Sequence, residues 1–189
     1  MSYKVYMNTL DNPTAQGVYD ELTENGHDVV TGSDGNVGDI DLLILSIPHA
    51  NRDHMTIRDL DADLLQEKLA GYVNDILLTS LSIIPLMEKS SLKRIAFLTD
   101  PAGSIRESDE FDDYAYHMAQ AAAGMVMKIL HNSYRRNGFS FRVYADCGSG
   151  IGATEYILTD QSYIPEDDPV HSDENRIVCR DGYLREISW

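Results

Sequence analysis

Residues 94–128 read RIAFLTDPAGSIRESDEFDDYAYHMAQAAAGMVMK, and this stretch decides the fold of the chain. Its first six residues form an apolar run typical of a strand buried on both faces, and its last part opens a long helical pattern. An acidic loop, RESDEFDD, lies between them. Loops that leave the carboxyl ends of parallel strands carry the chemistry of open α/β sheets. Asp100 and Tyr116 are therefore the first candidates for site residues.

Strand and helix patterns alternate on both sides of this stretch. Predicted strands cover residues 3–7, 28–31, 41–47, 94–99 and 140–145, predicted helices cover 13–24, 64–87 and 114–136, and 177–189 predicts a closing strand or hairpin with an Asp-Gly turn. Gly26 and Gly138 predict the ends of the first and third helices. The alternation predicts an α/β fold, a doubly wound and mostly parallel sheet in a single domain over residues 1–189.

One connection is too short for a helix. The glycine-rich segment GSDGNVG follows the second strand, and the next apolar run begins at Asp41. About eight extended residues reach about 26 Å, which is enough to return along the sheet and cross one neighbouring strand. The sheet is therefore predicted to be truncated between the second and fourth strands of a complete doubly wound fold.

The composition narrows the classes of partner. The net charge of −16 disfavours nucleic acid and anionic membrane surfaces, because both attract basic footprints. No apolar run long enough to span a membrane and no signal-like N-terminus is evident, so we expect a cytoplasmic protein. Cys147 and Cys179 are too few for a disulfide framework and lack zinc-site spacing. Reduced, buried thiols are expected, and a single bridge between them stays open.

Three segments together resemble one known family. They are KLAGYVNDILLTSLSIIPLMEKSSLKRIAFLTDPAGSI at 68–105, YAYHMAQAAAGMVMKIL at 114–130 and the ending DGYLREISW at 181–189. The combination is similar to the compact C-factor-like branch of the short-chain dehydrogenase/reductases, which implies a Rossmann-like domain of NAD(P)-dependent oxidoreductase ancestry. Two helices of that family build a four-helix interface, which implies a homodimer or homotetramer through residues 64–87 and 114–136.

The cofactor motif of the family is altered here. The family binds its dinucleotide through a TGxxxGxG turn after the first strand, where this chain reads MNTLDNPTAQG. Asn8 and Thr9 align with the first pair, Pro13 with the middle glycine and Ala15 with the last one. Asp11 would place a negative charge beside the phosphates, and Pro13 has no amide N–H to donate. We therefore expect no bound cofactor, with NAD or NADP as the alternative if the degenerate site still binds.

The catalytic set implied by the resemblance is also altered. Asn74 and Tyr116 occupy the asparagine and tyrosine positions, while Gln120 stands for the lysine and Asp100 for the serine. Gln120 carries no charge that could stabilise a tyrosinate at Tyr116. An ionised Asp100 would repel such a tyrosinate, and a carboxylate cannot donate a hydrogen bond to a carbonyl oxygen unless it is protonated.

These departures favour a relative that has lost standard redox turnover and serves as a binding or assembly subunit, with an active paralogue as one candidate partner. Two alternatives stay open. One is an atypical oxidoreductase with a rearranged cofactor site. The other is a cofactor-free acid/base enzyme that uses Asp100 and Tyr116.

Other reactive side chains give weaker hypotheses. His49 and His54 with Asp53 could hold a metal or form an acid/base pair, although exposed loop histidines are the simpler interpretation. His117 follows Tyr116 directly and points about 100° away around the helix, which weakens a joint acid/base role. Cys147 in a glycine loop could act as a nucleophile, but no base for it is identifiable.

Overall fold

The computed structural model describes residues 2–32, 37–49, 54–146, 152–159 and 176–188. The strands are β1 (Lys4–Met7), β2 (Asp28–Thr31), β3 (Leu42–Ser46), β4 (Arg94–Thr99), β5 (Ser140–Ala145), β6 (Cys179–Arg180) and β7 (Glu186–Ile187). The helices are α1 (Pro13–Glu24), α2 (Ala62–Ile83), α3 (Tyr114–Tyr134) and α4 (Ala153–Leu158). They form the α/β architecture that the sequence predicts.

The strands make one seven-stranded sheet in the order β2-β1-β3-β4-β5-β6-β7. All pairs are parallel except β6 with β7. Val5 of β1 pairs with Val29 of β2 on one side and with Leu42 of β3 on the other. The chain therefore crosses a single strand between β2 and β3, as the short connection predicts. Residues 33–36 of that connection lie outside the described part.

Two helical layers cover the sheet. Alternate side chains of each strand point to opposite faces, so Leu43 and Phe97 pack toward α2 and α3, while Ile44 and Leu98 pack toward α1 and α4. The larger core lies on the α2–α3 side. This arrangement places the start of α3 beside the carboxyl end of β4, where the candidate residues lie.

The ends of the long helices agree with their sequences. Helix α2 ends at Ile83 and continues as a 3₁₀ turn, Ile84–Met87, because Pro85 cannot donate the next α-helical hydrogen bond. Helix α3 passes into a 3₁₀ turn that ends at Gly138, whose φ of 84° is left-handed. Gly26 is also left-handed, with φ 79°. Both glycine predictions are confirmed.

Helix α4 was not predicted from the sequence, and the C-terminal turn is longer than predicted. Helix α4 has only six residues, too few for a clear periodic pattern. The closing hairpin exists, but its turn is longer than an Asp-Gly pair. Asp181 Oδ1 accepts hydrogen bonds from the amides of Tyr183 and Arg185, and Leu184 takes the left-handed conformation with φ 61°.

Two further expectations meet the structure. Cys179 is buried, whereas Cys147 lies outside the described residues, so the redox state of the two cysteines stays a prediction. Among the described residues, the helix Ala62–Met87 is long and apolar enough to cross a membrane by length and composition alone. The sequence predicted no apolar run long enough to span a membrane, and by length and composition this helix is long enough. The core helix of a globular protein passes the same test. In this fold α2 packs against α3.

Candidate active site and nucleotide crevice

Three of the four predicted catalytic residues meet in one hydrogen-bonded cluster. Tyr116 and Gln120 lie one helical turn apart on the inner face of α3, and both side chains are fully buried at 0% exposure. The Tyr116 hydroxyl donates to Asp100 Oδ2 at 2.5 Å, and Gln120 Nε2 donates to the same hydroxyl oxygen at 2.8 Å. Thr99 Oγ1 donates to Gln120 Oε1 at 2.9 Å.

Asp100 also shapes the turn that follows β4. Its Oδ1 accepts from the Ala102 amide at 2.7 Å and caps the 3₁₀ turn Pro101–Gly103. An aspartate before a proline favours such a turn, because proline suits the first helical position. Both carboxylate oxygens therefore have partners inside the protein. The turn sits close to α3, since a Cβ added at Gly103 would lie 3.0 Å from Gln120 Cβ.

This geometry limits what the cluster can do. The single hydroxyl proton of Tyr116 is donated to Asp100, and the hydroxyl oxygen accepts from Gln120. A tyrosine that protonates a substrate must instead direct its hydroxyl toward bound substrate. The cluster satisfies its own buried polar groups and joins β4, the following turn and α3.

The neighbouring histidines contact Tyr116 and the acidic loop. The His49 ring meets Tyr116 edge-on, with ring centroids 5.3 Å apart. His117 Nε2 lies 3.1 Å from Glu110 Oε2 and its Nδ1 lies 2.9 Å from the Ala102 carbonyl oxygen, so this ring links the acidic loop to α3. His54 Nδ1 lies 3.2 Å from Asp112 Oδ2.

The metal hypothesis gains no support from the described residues. No group of three or more histidine, cysteine or acidic side chains there could hold a metal ion. Asp53 and Cys147 lie outside the described part of the chain, so their hypotheses stay predictions.

Asn74 is the predicted residue that the structure does not bring to the cluster. It is exposed on α2, so its catalytic role stays a prediction. Its neighbour Asp75 accepts from Asn8 Nδ2 at 2.6 Å, and Asn8 also bonds the backbone of Ser46. Sequence reasoning missed Thr99, although its place directly before Asp100 at a strand end was a usable signal.

A crevice lies where the strand order reverses, between the carboxyl ends of β1 and β3, which is where open α/β sheets bind ligands. Asn12 caps α1 there, because its Oδ1 accepts from the amides of Thr14 at 3.0 Å and Ala15 at 3.2 Å. Pro13 has no amide hydrogen. Of the first three residues of α1, Pro13 therefore lacks an amide donor, and the amides of Thr14 and Ala15 already donate to Asn12.

Further contacts close the same crevice. Asn12 Nδ2 donates to the Ile47 carbonyl at 3.3 Å, and the His49 amide donates to the Asp11 carbonyl at 2.5 Å. Thr14 Oγ1 donates to Asp146 Oδ2 at 2.5 Å, which places a carboxylate beside the start of α1. The sequence places Asp11, Asn12 and Pro13 together at the start of the first helix, and the cap by Asn12 confirms that helix start. The contact of Asp146 with Thr14 was not predicted from the sequence.

Comparison with known proteins supports the fold. A Burkholderia multivorans short-chain dehydrogenase/reductase structure with bound NADP superposes with a TM-score of 0.66 at 12% identity, covering 100% of both chains. This chain has the short-chain dehydrogenase/reductase fold. An NADPH-bound carbonyl reductase from chicken fatty liver gives 0.65 at 14% identity, covering 98% of this chain and 83% of its own. No protein-family model and no curated protein matches the sequence.

A third similar structure is a short-chain oxidoreductase from Pseudomonas aeruginosa PAO1 described as containing an atypical catalytic centre. It has a TM-score of 0.65 at 10% identity and covers 79% of this chain and 70% of its own. At such identities the likeness concerns the fold. The chemistry of this chain has to be argued from its own residues.

Proposed function

We propose that this chain is a short-chain dehydrogenase/reductase-like protein without standard NAD(P)-dependent redox turnover, and that it serves as a binding or assembly subunit. The observation that carries the proposal is the start of α1. Asn12 occupies the amides of Thr14 and Ala15, and Pro13 offers none. A dinucleotide would have to displace this cap, which itself contributes about 1 kcal/mol to stability.

Electrostatics add to the same argument. Helix N-termini attract phosphate because their amides carry partial positive charge. The Asp146 carboxylate accepts a hydrogen bond from Thr14 at that helix end, and the chain carries a net charge of −16. Both negative charges disfavour a bound phosphate. Two of the similar structures contain NADP or NADPH, so nucleotide binding by this chain is the natural competing proposal.

The buried cluster supports the loss of the ancestral reaction. Tyr116 directs its proton to Asp100, and the neutral Gln120 cannot replace an ammonium group. The 2.5 Å bond between Tyr116 and Asp100 is also the observation that favours the second candidate, a cofactor-free acid/base enzyme. The full burial of Tyr116 counts against that candidate, because substrate has to reach the proton.

Assembly is proposed from the outer faces of α2 and α3. Both helices expose large apolar side chains there: Leu77, Leu78, Leu81, Met118, Met125 and Ile129. Contiguous apolar surface of this kind marks interaction sites. A second copy is the proposed partner, in a homodimer or homotetramer, and an active paralogue with the same fold is the alternative.

Nucleotide titration tests the first half of the proposal. Thermal shift and calorimetry with NADH and NADPH at millimolar concentration should show no binding. A Kd tighter than about 100 μM would raise the melting temperature by mass action and would overturn the proposal. The double variant Asn12→Gly with Pro13→Gly is the matched comparison. It releases the Thr14 and Ala15 amides from the cap and adds an amide N–H at position 13, which are the donors whose absence the proposal blames for the lack of nucleotide binding. Turnover assays with NADH and NADPH test the alternative that the chain is an atypical oxidoreductase.

Sedimentation tests the second half. Leu78→Glu with Leu81→Glu places charges on the exposed face and should convert an oligomer to monomer with unchanged circular dichroism. Gln16→Glu on α1 is the matched control and should leave the mass unchanged. A wild-type chain that sediments as a monomer at all concentrations would contradict self-assembly.

A further inference from the structure

A groove of about 440 Å³ runs along α3 beside the segment that leads into β6. Its size lies within the range of about 300–1,000 Å³ that is typical of small-molecule sites. Its walls are largely apolar and include Ile105, Ala121, Gly124, Met125, Lys128 and Ile177. The groove is separate from the crevice at the start of α1, and it does not involve the hydroxyl of Tyr116.

Lys128 is the only charged side chain among the described residues that line this groove. It is half-buried, and the described part of the chain supplies no ion pair for it. The contrast with other lysines is clear, because Lys4, Lys89 and Lys93 each lie within 4.0 Å of a carboxylate oxygen. An unmatched cation is notable in a chain with 31 acidic and 15 basic residues.

The lining selects a class of ligand. A phosphate or nucleotide is normally held by several N–H donors and more than one cation, whereas this groove offers one ammonium group. A wholly apolar ligand would remove that ammonium from water without a partner, which is unfavourable. One negative charge on an apolar body satisfies both parts of the lining.

We propose that the groove binds an amphipathic monocarboxylate, a free medium-chain fatty acid, with the carboxylate on Lys128 Nζ and the chain against the apolar walls. Ile105 is 93% exposed and Met125 is 60% exposed, so binding removes apolar surface from water. The head group supplies orientation and the chain supplies most of the driving force. This proposal is independent of whether the α1 crevice binds a nucleotide, and it requires that the proposed α2–α3 assembly, whose face includes Met125, leaves the groove open.

Calorimetry with sodium decanoate below its micellar concentration tests the site. Wild type should bind decanoate, and Lys128→Met should weaken the affinity about tenfold or more through loss of the charge-assisted contact. The same variant should bind decanol, which has the same chain without the charge, at least as well as wild type does. Lys89→Met on the surface is the matched control and should leave decanoate affinity unchanged.

A second variant places the ligand. Ala121→Trp fills the groove from an exposed helix position and should abolish binding of both decanoate and decanol, with an unchanged circular dichroism spectrum. Absence of decanoate binding by wild type overturns the proposal. Equal affinity in Lys128→Met, or retained binding in Ala121→Trp, also overturns it, because the amphiphile would then bind elsewhere on the apolar α2–α3 face.

Discussion

The two helical layers of this protein differ in which side chains they bury and which they expose. The α2–α3 layer covers a polar cluster of the buried Tyr116 and Gln120 with the half-buried Asp100, and it exposes large apolar residues to solvent. The α1–α4 layer buries apolar residues such as Val18 and Leu22, and its described residues expose no large apolar side chain. Its polar contacts instead close the crevice at the start of α1.

The difference lies in how each layer satisfies its polar groups. Beneath α3, the positions that resemble a catalytic set now satisfy one another. At α1, the Asn12 side chain caps the helix at the place where the family resemblance puts a glycine-rich turn. In both places the polar groups have internal partners, so we expect their loss to cost stability. A catalytic residue often behaves in the opposite way, because active sites are commonly built at the expense of stability.

The largest expected effect is at Tyr116. Tyr116→Ala should lower the free energy of unfolding by about 3–5 kcal/mol, because it removes a fully buried ring. Tyr116→Phe keeps the ring but leaves Asp100 and Gln120 without their shared partner, for about 1–3 kcal/mol. Urea unfolding of each variant measures both values.

The control for Tyr116 lies in the other layer. Tyr19 is half-buried on α1, and its hydroxyl has no hydrogen-bond partner among the described residues. Tyr19→Phe should therefore change stability by less than about 0.5 kcal/mol. A Tyr116→Phe variant as stable as wild type would show that the cluster is not structural and would favour the acid/base alternative.

A pair of glycines gives effects of opposite sign. Gly103→Ala should destabilise by about 1–3 kcal/mol, because the new Cβ would lie 3.0 Å from Gln120 Cβ and 3.3 Å from the Gln120 carbonyl carbon. Gly17→Ala in α1 meets nothing within 4 Å and should stabilise by about 0.5–1 kcal/mol, since alanine suits a helix interior better. Thermal unfolding reports both, and two changes of the same sign would refute the contrast.

The cap of α1 should have a smaller effect. Asn12→Ala removes the acceptor for the Thr14 and Ala15 amides, and we expect a loss of about 1 kcal/mol. Asn74→Ala on the exposed face of α2 is the matched asparagine and should stay within about 0.5 kcal/mol. Urea unfolding measures the loss of stability in both variants. Equal losses would show that the Asn12 cap does not stabilise the fold.

The smallest effect depends on pH. Burial lowers the pKa of His27 from its usual 6.5, and its Nδ1 accepts the Tyr3 amide at 3.0 Å. The unfolded chain therefore binds this proton more readily, so stability should fall as pH drops below about 6.5 and level off below the folded pKa. His27→Asn retains an acceptor without titrating. Its stability between pH 7.5 and 5.5 should fall less than that of wild type, and parallel curves would contradict the assignment.

The order of strands and long helices was predictable because each depends on residues close in the chain. Buried apolar runs predicted β3 and β4, and glycines predicted the ends of α1 and α3. Helix α4 was not predictable, since its six residues are held by burial of Ala153, Tyr156 and Ile157 against the sheet layer. The Asp-Gly pair suggested a hairpin but not the longer turn that Asp181 organises.

The sequence by itself determined that a strand connection is too short for a helix, that Pro13 removes an amide donor and that the uncharged Gln120 stands four residues after Tyr116. Only the tertiary structure decided that Tyr116 is fully buried, that Asp100 uses both carboxylate oxygens and that Asn12 reaches Ile47. The reason is physical. Local patterns depend on neighbours within about one helical turn, whereas these hydrogen bonds join residues that only the strand order brings within reach.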